Sequence, residues 1–437
     1  MSVAIAELEI PSRREQLRVS VKSWLPWVGK GSLAILDQGL ISGSNFLIGI
    51  LLARWLAPGA YGAYALAFAV FILLSSIYQA LILEPMSVFG PSEYRNCQRE
   101  YFSHLLWIHG GLVLPIAVIL AAAAWAVHVA AASSGLAGAL AGVAWAAPCV
   151  LLYWLARGTF YVRLEPHVAV GGAVLYCILL LGGLLVFYQR GLLSPFSAFL
   201  LMGTGALVVG GFQLFRLRPA LRPWLGNLGL TAVGRRHWGY GRWALSSSLA
   251  AWIPWNVQYV LVGGAAGMAG AGALRALLNL TLPVMQCSGA LCLLAQPFAS
   301  GEGIGGIGKV TRRITLLFAC IAVVYWALVT AFRRQIVSFL YAGNYGEVAH
   351  LVPWIALASV LTIVAYGPAV GLRAMQSPAS VFVASGASSA IALAVGIPAT
   401  RAYGMRGAIL SIVLSSAAAL PVELALLRQR LRGGARG

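Results

Sequence analysis

Charge is what this sequence has least of. Only 9% of its 437 residues are charged and 60% are hydrophobic, whereas an ordinary soluble domain carries roughly 25% charged residues. Acidic side chains are the rarest, because Asp and Glu together number 11 and Asp37 is the single aspartate. A chain so poor in charge cannot cover a soluble surface, so the composition excludes most soluble proteins.

Groups of metal ligands and catalytic side chains are also lacking. The six cysteines show no CxxC spacing, and five of them fall in apolar segments, which predicts buried free thiols. Among the six histidines, His104 and His109 lie five residues apart and miss the i, i+4 spacing of two ligands on one helix face. We therefore expect no metal, no cofactor and no enzymatic activity.

Long apolar segments are what the chain has instead. A hydrocarbon core of ~30 Å needs about 20 apolar helical residues for each crossing. Windows of that length predict an all-α polytopic membrane protein with about twelve spans. The predicted spans are 33–53, 63–83, 105–126, 136–155, 168–188, 197–217, 243–262, 274–299, 314–332, 351–372, 381–400 and 409–427.

The basic residues are distributed unevenly between the two sides of these spans. With the amino terminus inside, about 23 Lys and Arg fall inside and about 7 outside, as short cytoplasmic loops require. We expect both termini to be cytoplasmic. The net charge of +19 is then explained by topology and anionic lipid, and no nucleic-acid partner is expected.

The chain divides into five predicted segments. A basic amino-terminal segment, 1–32, lacks the features of a cleaved signal peptide; its Trp24 and Trp27 favour an interfacial anchor, and a disordered tail is the alternative. The other segments are a six-helix bundle at 33–217, a cytoplasmic linker at 218–242, a second six-helix bundle at 243–427 and a basic tail at 428–437.

A weak internal repeat supports two related bundles. Tyr61-Gly62-Ala63-Tyr64 and the later Glu84-Pro85 correspond to Ala271-Gly272-Ala273-Leu274 and Gln296-Pro297, at an offset near 210 residues. Duplicated bundles that enclose a site at the membrane midplane are a transporter architecture. The sequence therefore predicts a pseudo-twofold repeat.

Several stretches resemble one family. They are 34–47, then Leu52-Ala53-Arg54-Trp55-Leu56-Ala57-Pro58, the stretch from Arg275 to Pro283, and Phe339-Leu340-Tyr341-Ala342-Gly343-Asn344-Tyr345. Together they resemble Wzx-like polysaccharide-biosynthesis flippases of the multidrug/oligosaccharidyl-lipid/polysaccharide (MOP) exporter superfamily, from about Leu33 to the carboxyl end.

The resemblance implies a MATE-like fold and a function. Such proteins move a polyprenyl-pyrophosphate-linked oligosaccharide from the inner to the outer leaflet of the bacterial cytoplasmic (inner) membrane by alternating access. The product would be O antigen, capsule or exopolysaccharide. The expected partners are this lipid-linked oligosaccharide, membrane lipids and polysaccharide polymerase or assembly proteins.

A cationic, polar cavity would suit such a substrate. Arg binds pyrophosphate oxygens in pairs, and polar side chains in spans line cavities or bond neighbouring helices. Candidate headgroup ligands are Arg54, Arg157, Arg163, Arg275 and Arg373, for which positive-inside placement or snorkelling is the alternative. Candidate cavity-lining residues are Gln38, Ser42, Asn45, Asn256, Gln258 and Asn279.

Two carboxylates are candidates for coupling transport to H⁺ or Na⁺. Asp37 lies within the first span and Glu84 closes the second, and a carboxylate in a low dielectric favours proton binding. The alternatives are that Asp37 pairs with an Arg or caps a neighbouring helix, and that Glu84 is an interfacial group that pairs with Arg95 or Arg99.

Three other functions stay open at this stage. A multidrug exporter of the same superfamily would need an acidic cavity for cations, which the scarcity of carboxylates disfavours. A lipid II flippase is a close alternative. A polyprenyl-dependent glycosyltransferase or polymerase would need an outer catalytic loop, and the longest outer connector, 333–350, holds only Glu347 and His350 as acid or imidazole groups.

Overall fold

The computed structural model describes residues 13–130, 135–219, 228–300, 304–375 and 378–434. Every regular element in these ranges is helical. The helices are α1 (Arg13–Trp55), α2 (Pro58–Tyr78), α3 (Glu84–Phe89), α4 (Gln98–Ala130), α5 (Leu136–Val162), α6 (Pro166–Gln189), α7 (Pro195–Leu217), α8 (Leu230–Asn279), α9 (Leu282–Ser300), α10 (Ile304–Ala331), α11 (Arg333–Tyr341), α12 (Val352–Ala374), α13 (Pro378–Tyr403) and α14 (Met405–Gly434).

The apolar segments form long helices, as predicted. Within the described ranges, eleven helical stretches are long and apolar enough to cross a membrane. The predicted span 274–299 is divided between the end of α8 and α9, because the chain leaves the helix at Leu280 and Thr281, just before Pro283. Proline has no N–H to donate to the preceding turn. The all-α fold of a multi-pass membrane protein is thus confirmed.

Several helices begin well before the predicted spans. α1 begins at Arg13, α8 at Leu230 and α10 at Ile304, because a hydropathy window detects only the part of a helix that matches hydrocarbon. Part of the predicted linker is therefore helix. Residues 1–12 and 220–227, and the side chains of Trp24 and Trp27, lie outside the described part of the chain.

The helices pack as two halves, α1–α7 and α8–α14. In the first half α5 packs against α7, α4 and α2, and in the second half α12 packs against α10 and α14 while α13 packs against α14. The main contact between halves joins α2 to α8. The outer surface of both halves carries exposed apolar side chains, such as Val118 in the first half and Val324 in the second, as lipid contact requires.

Gly62 and Gly272, which the repeat pairs with each other, meet at the crossing of α2 and α8. A Cβ on Gly62 would lie 1.7 Å from the Met268 carbonyl oxygen, and one on Gly272 would lie 3.0 Å from the Gly62 nitrogen. Small residues let helix backbones approach this closely. The contact between repeat-related glycines fits the predicted pseudo-twofold arrangement of the fold.

α8 bends sharply before it reaches this crossing. Gly267 has φ 75° and ψ 178° and interrupts the helix. This positive φ favours glycine, because a side chain would strain the backbone there. The bend lets the last turns of α8 pack against α2.

The prediction that the thiols are buried is wrong for two cysteines. Cys287 on α9 and Cys320 on α10 are exposed. Apolar sequence does not distinguish a helix face buried in protein from one turned to lipid.

Candidate functional site

A cavity of about 1100 Å³ lies against the first half of the molecule. Its walls come mainly from α1, α3 and α5, and Gln286 of α9 contributes from the second half. It reaches the loops around residues 90–97 and 163–165, and we call this end of the molecule the basic end. The residues that line the cavity include Gln38, Ser42, Asn45, Gln79, Leu83, Arg95, Trp154, Arg157, Tyr161, Arg163, Glu165 and Gln286.

Three predicted polar residues of α1 line this cavity. Gln38, Ser42 and Asn45 follow one another at helical spacing and therefore share one face of α1. Gln38 donates a hydrogen bond to the Ser42 hydroxyl over 3.2 Å. The face presents amide and hydroxyl groups to the cavity, where they can donate to or accept from a polar solute.

A short π-helical segment contributes to the opposite wall. It covers Gln79–Leu83 between α2 and α3, and both of its end residues line the cavity. A π segment contains an extra residue per turn and is frequent at functional sites. The hydropathy pattern of the sequence does not reveal this segment, because a single added residue leaves the profile unchanged.

Asp37 lies directly behind the cavity wall and is completely buried. Arg157 forms an ion pair with it, in which the Arg157 Nε donates to the Asp37 Oδ2 over 2.8 Å. The Arg157 Nη2 and the Tyr161 hydroxyl donate to the same oxygen. The structure therefore contains the pairing of Asp37 with an arginine, and ion coupling stays a prediction.

Arginine dominates the charged groups of the cavity lining. Arg95, Arg157 and Arg163 line it, and Glu165 is the acidic group among the lining residues of the described chain. Arg95 is exposed and Arg163 is half-buried. With Asp37 counted against Arg157, the lining retains a net positive charge, which favours anions over cations.

Three of the predicted headgroup arginines lie outside this lining. Arg54 is exposed in the last turn of α1, and Arg373 is exposed in the last turn of α12. The positive charge of Arg373 interacts electrostatically with the buried Glu423 of α14. The structure therefore separates Arg54, Arg275 and Arg373 from Arg157 and Arg163. Arg275 and Arg373 sit on helices that contribute no wall to this cavity, and Arg54 lies at the end of α1, beyond Asn45, the last lining residue of that helix.

Arg275 is embedded between the two halves near the α2–α8 crossing. Its guanidinium carbon lies 4.5 Å from the centroid of the Phe68 ring, and its Nη1 donates to the Tyr259 hydroxyl over 3.3 Å. Its Nε is buried without a hydrogen-bond partner. A cation over an aromatic face is stabilised electrostatically, so in this conformation Arg275 packs within the protein.

The other predicted polar residues take part in helix packing. Gln258 is fully buried and donates to the Ser411 hydroxyl over 3.1 Å. Asn279 is also buried and donates to the Tyr61 hydroxyl over 2.8 Å. Asn256 donates to the Trp252 carbonyl of its own helix. These side chains bond neighbouring groups rather than face the cavity, because the helix faces that carry them are covered by other helices.

Glu84 and Glu93 connect the first half to the start of α8. Glu84 accepts a hydrogen bond from Tyr240 over 3.1 Å, and the alternative pairing with Arg95 or Arg99 does not occur among the described residues. Glu93 forms an exposed ion pair with Arg236. Hydrogen bonds from Arg236 lower the pKa of Glu93 below its ordinary value, because they favour the ionised carboxylate.

Sequence reasoning missed Tyr161, Trp154 and Gln79 as cavity residues. Tyr161 lies four residues after Arg157, so both project from one face of α5, and this spacing would have identified it. Trp154 lies one turn before Arg157 on the same helix. In sequence, an aromatic residue in an apolar segment is typical of helix packing and does not indicate a cavity. Gln79 depends on the π segment.

Comparison with known proteins shows the fold. No protein-family model and no curated protein matches the chain. An inward-facing multidrug resistance MATE family transporter of the MOP superfamily superposes with a TM-score of 0.78 at 14% identity, covering 91% of this chain and 96% of that one. An outward-facing structure of such a transporter gives a TM-score of 0.68 at 14% identity, covering 94% and 96%.

A third solved structure comes from Pyrococcus furiosus. It is a MOP superfamily transporter whose binding pocket is described as reversed in polarity, suggesting a different function. It superposes with a TM-score of 0.68 at 14% identity and covers 94% of this chain and 96% of that one. At these identities the similarity shows architecture, so the chain has the MATE-type fold found in transporters of the MOP superfamily.

Proposed function

We propose that this protein is a transporter that moves a polyprenyl-pyrophosphate-linked oligosaccharide across the cytoplasmic membrane by alternating access. The observation that carries the proposal is the cavity at the basic end, whose lining combines Arg95, Arg157 and Arg163 with amide and hydroxyl groups. The MATE-type fold supports transport rather than catalysis. The structure superposes better on the inward-facing transporter than on the outward-facing one, which fits a cavity that opens to the cytoplasm.

The cavity chemistry matches each part of this substrate. Guanidinium groups bind pyrophosphate oxygens with charge-assisted hydrogen bonds. Gln38, Ser42 and Asn45 can exchange hydrogen bonds with sugar hydroxyls, and the Trp154 ring offers an apolar face. The polyprenyl chain would remain in the bilayer. Because the polyprenyl chain never leaves the lipid, only the headgroup would cross through the protein.

The cellular setting belongs to the same proposal. Both termini would lie in the cytoplasm of a bacterium, and the basic residues would meet the anionic inner leaflet. Polysaccharide polymerase or assembly proteins would accept the product on the outer side. Proton or Na⁺ coupling, with Asp37 or Glu84 as the carrier, remains part of the proposal.

Multidrug export is the second candidate. Two solved structures with this fold are multidrug resistance transporters, which is the specific observation in its favour. Cationic drugs need acidic cavities, however, and here three arginines line the cavity with one glutamate. The Pyrococcus furiosus structure is described as a MOP transporter with a pocket of reversed polarity, so a binding pocket of altered polarity on this fold has a described parallel.

The test measures translocation of a fluorescent polyprenyl-pyrophosphate oligosaccharide in proteoliposomes. Wild type is compared with an Arg95→Ala, Arg163→Ala double variant and with an Arg401→Ala, Arg406→Ala double variant. Arg401 on α13 and Arg406 on α14 are exposed and absent from the cavity lining, so this second variant controls for the loss of two positive charges. We expect the Arg95→Ala, Arg163→Ala variant to lose at least about tenfold in rate, equivalent to about 1.4 kcal/mol, and the control to match wild type.

Two results would contradict the proposal. Undetectable translocation of the lipid together with export of cationic dyes would establish the multidrug function. Equal rates for wild type and the Arg95→Ala, Arg163→Ala variant would show that the basic cavity does not bind the headgroup.

A further inference from the structure

The ion pair behind the cavity wall engages only part of the Arg157 guanidinium. Arg157 donates to Asp37 through Nε and Nη2, and its side chain keeps 19% of its surface exposed while Asp37 is fully covered. Arg157 is also one of the residues that line the cavity. One edge of the guanidinium therefore faces Asp37, and the other reaches the cavity.

The two carboxylate oxygens of Asp37 differ in their hydrogen bonds. Its Oδ2 accepts from Arg157 and from Tyr161, whereas its Oδ1 is buried without a hydrogen-bond partner. A buried carboxylate is strongly disfavoured without paired positive charge. The positive charge of Arg157 is therefore paired with Asp37 in this structure.

We propose that Asp37 is an internal competitor that pairs with Arg157 and thereby limits how tightly the cavity holds a phosphate or pyrophosphate group. This inference rests on the proposed function in taking the transported headgroup to be anionic. An entering phosphate must share Arg157 with Asp37, so the two anions repel each other across one guanidinium. The bound headgroup is consequently released more easily on the far side.

Asp37 is thus a positioning residue, because it lies behind the wall and acts through Arg157. Removing its charge raises the net positive charge next to the cavity by one and frees a second edge of the guanidinium. Binding of an anion should strengthen, and release should slow. A carboxylate that only supported the fold would not produce tighter binding on removal.

The experiment measures binding of inorganic pyrophosphate to the full-length protein in lipid nanodiscs by calorimetry. Asp37→Asn and Asp37→Thr remove the charge with side chains of different shape, and Asp37→Glu retains it as the matched control. We expect about tenfold tighter binding in both neutral variants, equivalent to about 1.4 kcal/mol, and near wild-type binding in Asp37→Glu. If one neutral variant fails to fold, the other still decides the result.

A double-mutant cycle identifies the route of the effect. Arg157→Gln should weaken pyrophosphate binding, and Asp37→Asn should then add nothing, because Asp37 acts through Arg157. An unchanged or weaker affinity in the neutral variants would overturn the proposal. So would an affinity gain that persists without Arg157, or the absence of pyrophosphate binding in every form.

Transport kinetics supply a second readout. In proteoliposomes, Asp37→Asn should lower KM for the lipid-linked substrate and also lower kcat, because release becomes slower; equal KM values would contradict the competitor role. Failure of the proposed function is distinguishable. In that case no lipid-linked oligosaccharide is translocated, while inorganic pyrophosphate still binds more tightly to the neutral variants.

Discussion

Gly59 and Gly62 stand three residues apart in α2 but have different surroundings. A Cβ on Gly62 would collide with the Met268 carbonyl, whereas a Cβ on Gly59 would meet nothing within 4 Å. Position 62 therefore requires glycine for the close helix contact, whereas position 59 has space for a larger side chain. Only the neighbouring helix, α8, makes the difference.

Gly62→Ala should destabilise the protein by about 1–3 kcal/mol, because overpacking forces backbone shifts. Gly59→Ala should leave stability unchanged or slightly raised, since alanine favours helix. Thermal unfolding in detergent, followed by circular dichroism, measures both variants. Equal melting temperatures would mean that α2 and α8 do not approach as closely as the structure shows.

At the scale of elements, the start of α8 is attached to the first half by polar contacts. His237 contacts the Leu81 carbonyl through Nδ1 over 3.0 Å and the Tyr101 hydroxyl through Nε2 over 2.7 Å. Leu81 belongs to the π segment whose ends line the cavity. The helix that leads into the second half thus bears directly on a wall of the candidate site.

The Glu93–Arg236 pair adds a pH-dependent contact to this attachment. The lowered pKa of Glu93 means that its stabilisation is fully present above the ordinary pKa and is lost as pH falls through the lowered one. Glu93→Gln should lower the melting temperature slightly at pH 7, and the difference from wild type should shrink progressively as pH falls below the ordinary carboxyl pKa. Glu347→Gln, at an exposed glutamate, is the control, and identical curves for Glu93→Gln and wild type at pH 7 would refute the contact.

At the scale of the whole molecule, the end opposite the basic end is held together by hydrogen bonds between the halves. Asn279 donates to the Tyr61 hydroxyl over 2.8 Å, and Tyr61 donates to the Gly49 carbonyl over 3.1 Å. The Tyr61 ring also lies 6.2 Å from the Tyr345 ring, between centroids. This chain joins α1 and α2 to α8 and must break if the molecule opens at that end.

Asn279→Leu should therefore favour opening at that end. Losing one buried hydrogen bond of about 1 kcal/mol shifts the equilibrium about fivefold, and spin labels at Arg54 and Arg334 should report longer distances by pulsed electron paramagnetic resonance. Asn256→Leu removes a bond within one helix only and is the matched control. Unchanged distances in Asn279→Leu would exclude this chain as a restraint on opening.

The sequence by itself determined the all-α membrane fold and the approximate positions of the spans. These follow from hydropathy, which is a local property, because the bilayer imposes one length and one polarity on every crossing. It also placed Gln38, Ser42 and Asn45 on a common face, since helical spacing decides which side chains align.

Only the tertiary structure decided which polar residues meet. Asp37 and Arg157 are 120 residues apart in sequence, and nothing local to either one distinguishes an ion pair from a free ligand. Gln258 and Asn279 look like Asn45 in sequence, yet they bond other helices because those faces are covered. The physical reason is that burial and pairing depend on which helix lies opposite, and this is set by packing between segments distant in the chain.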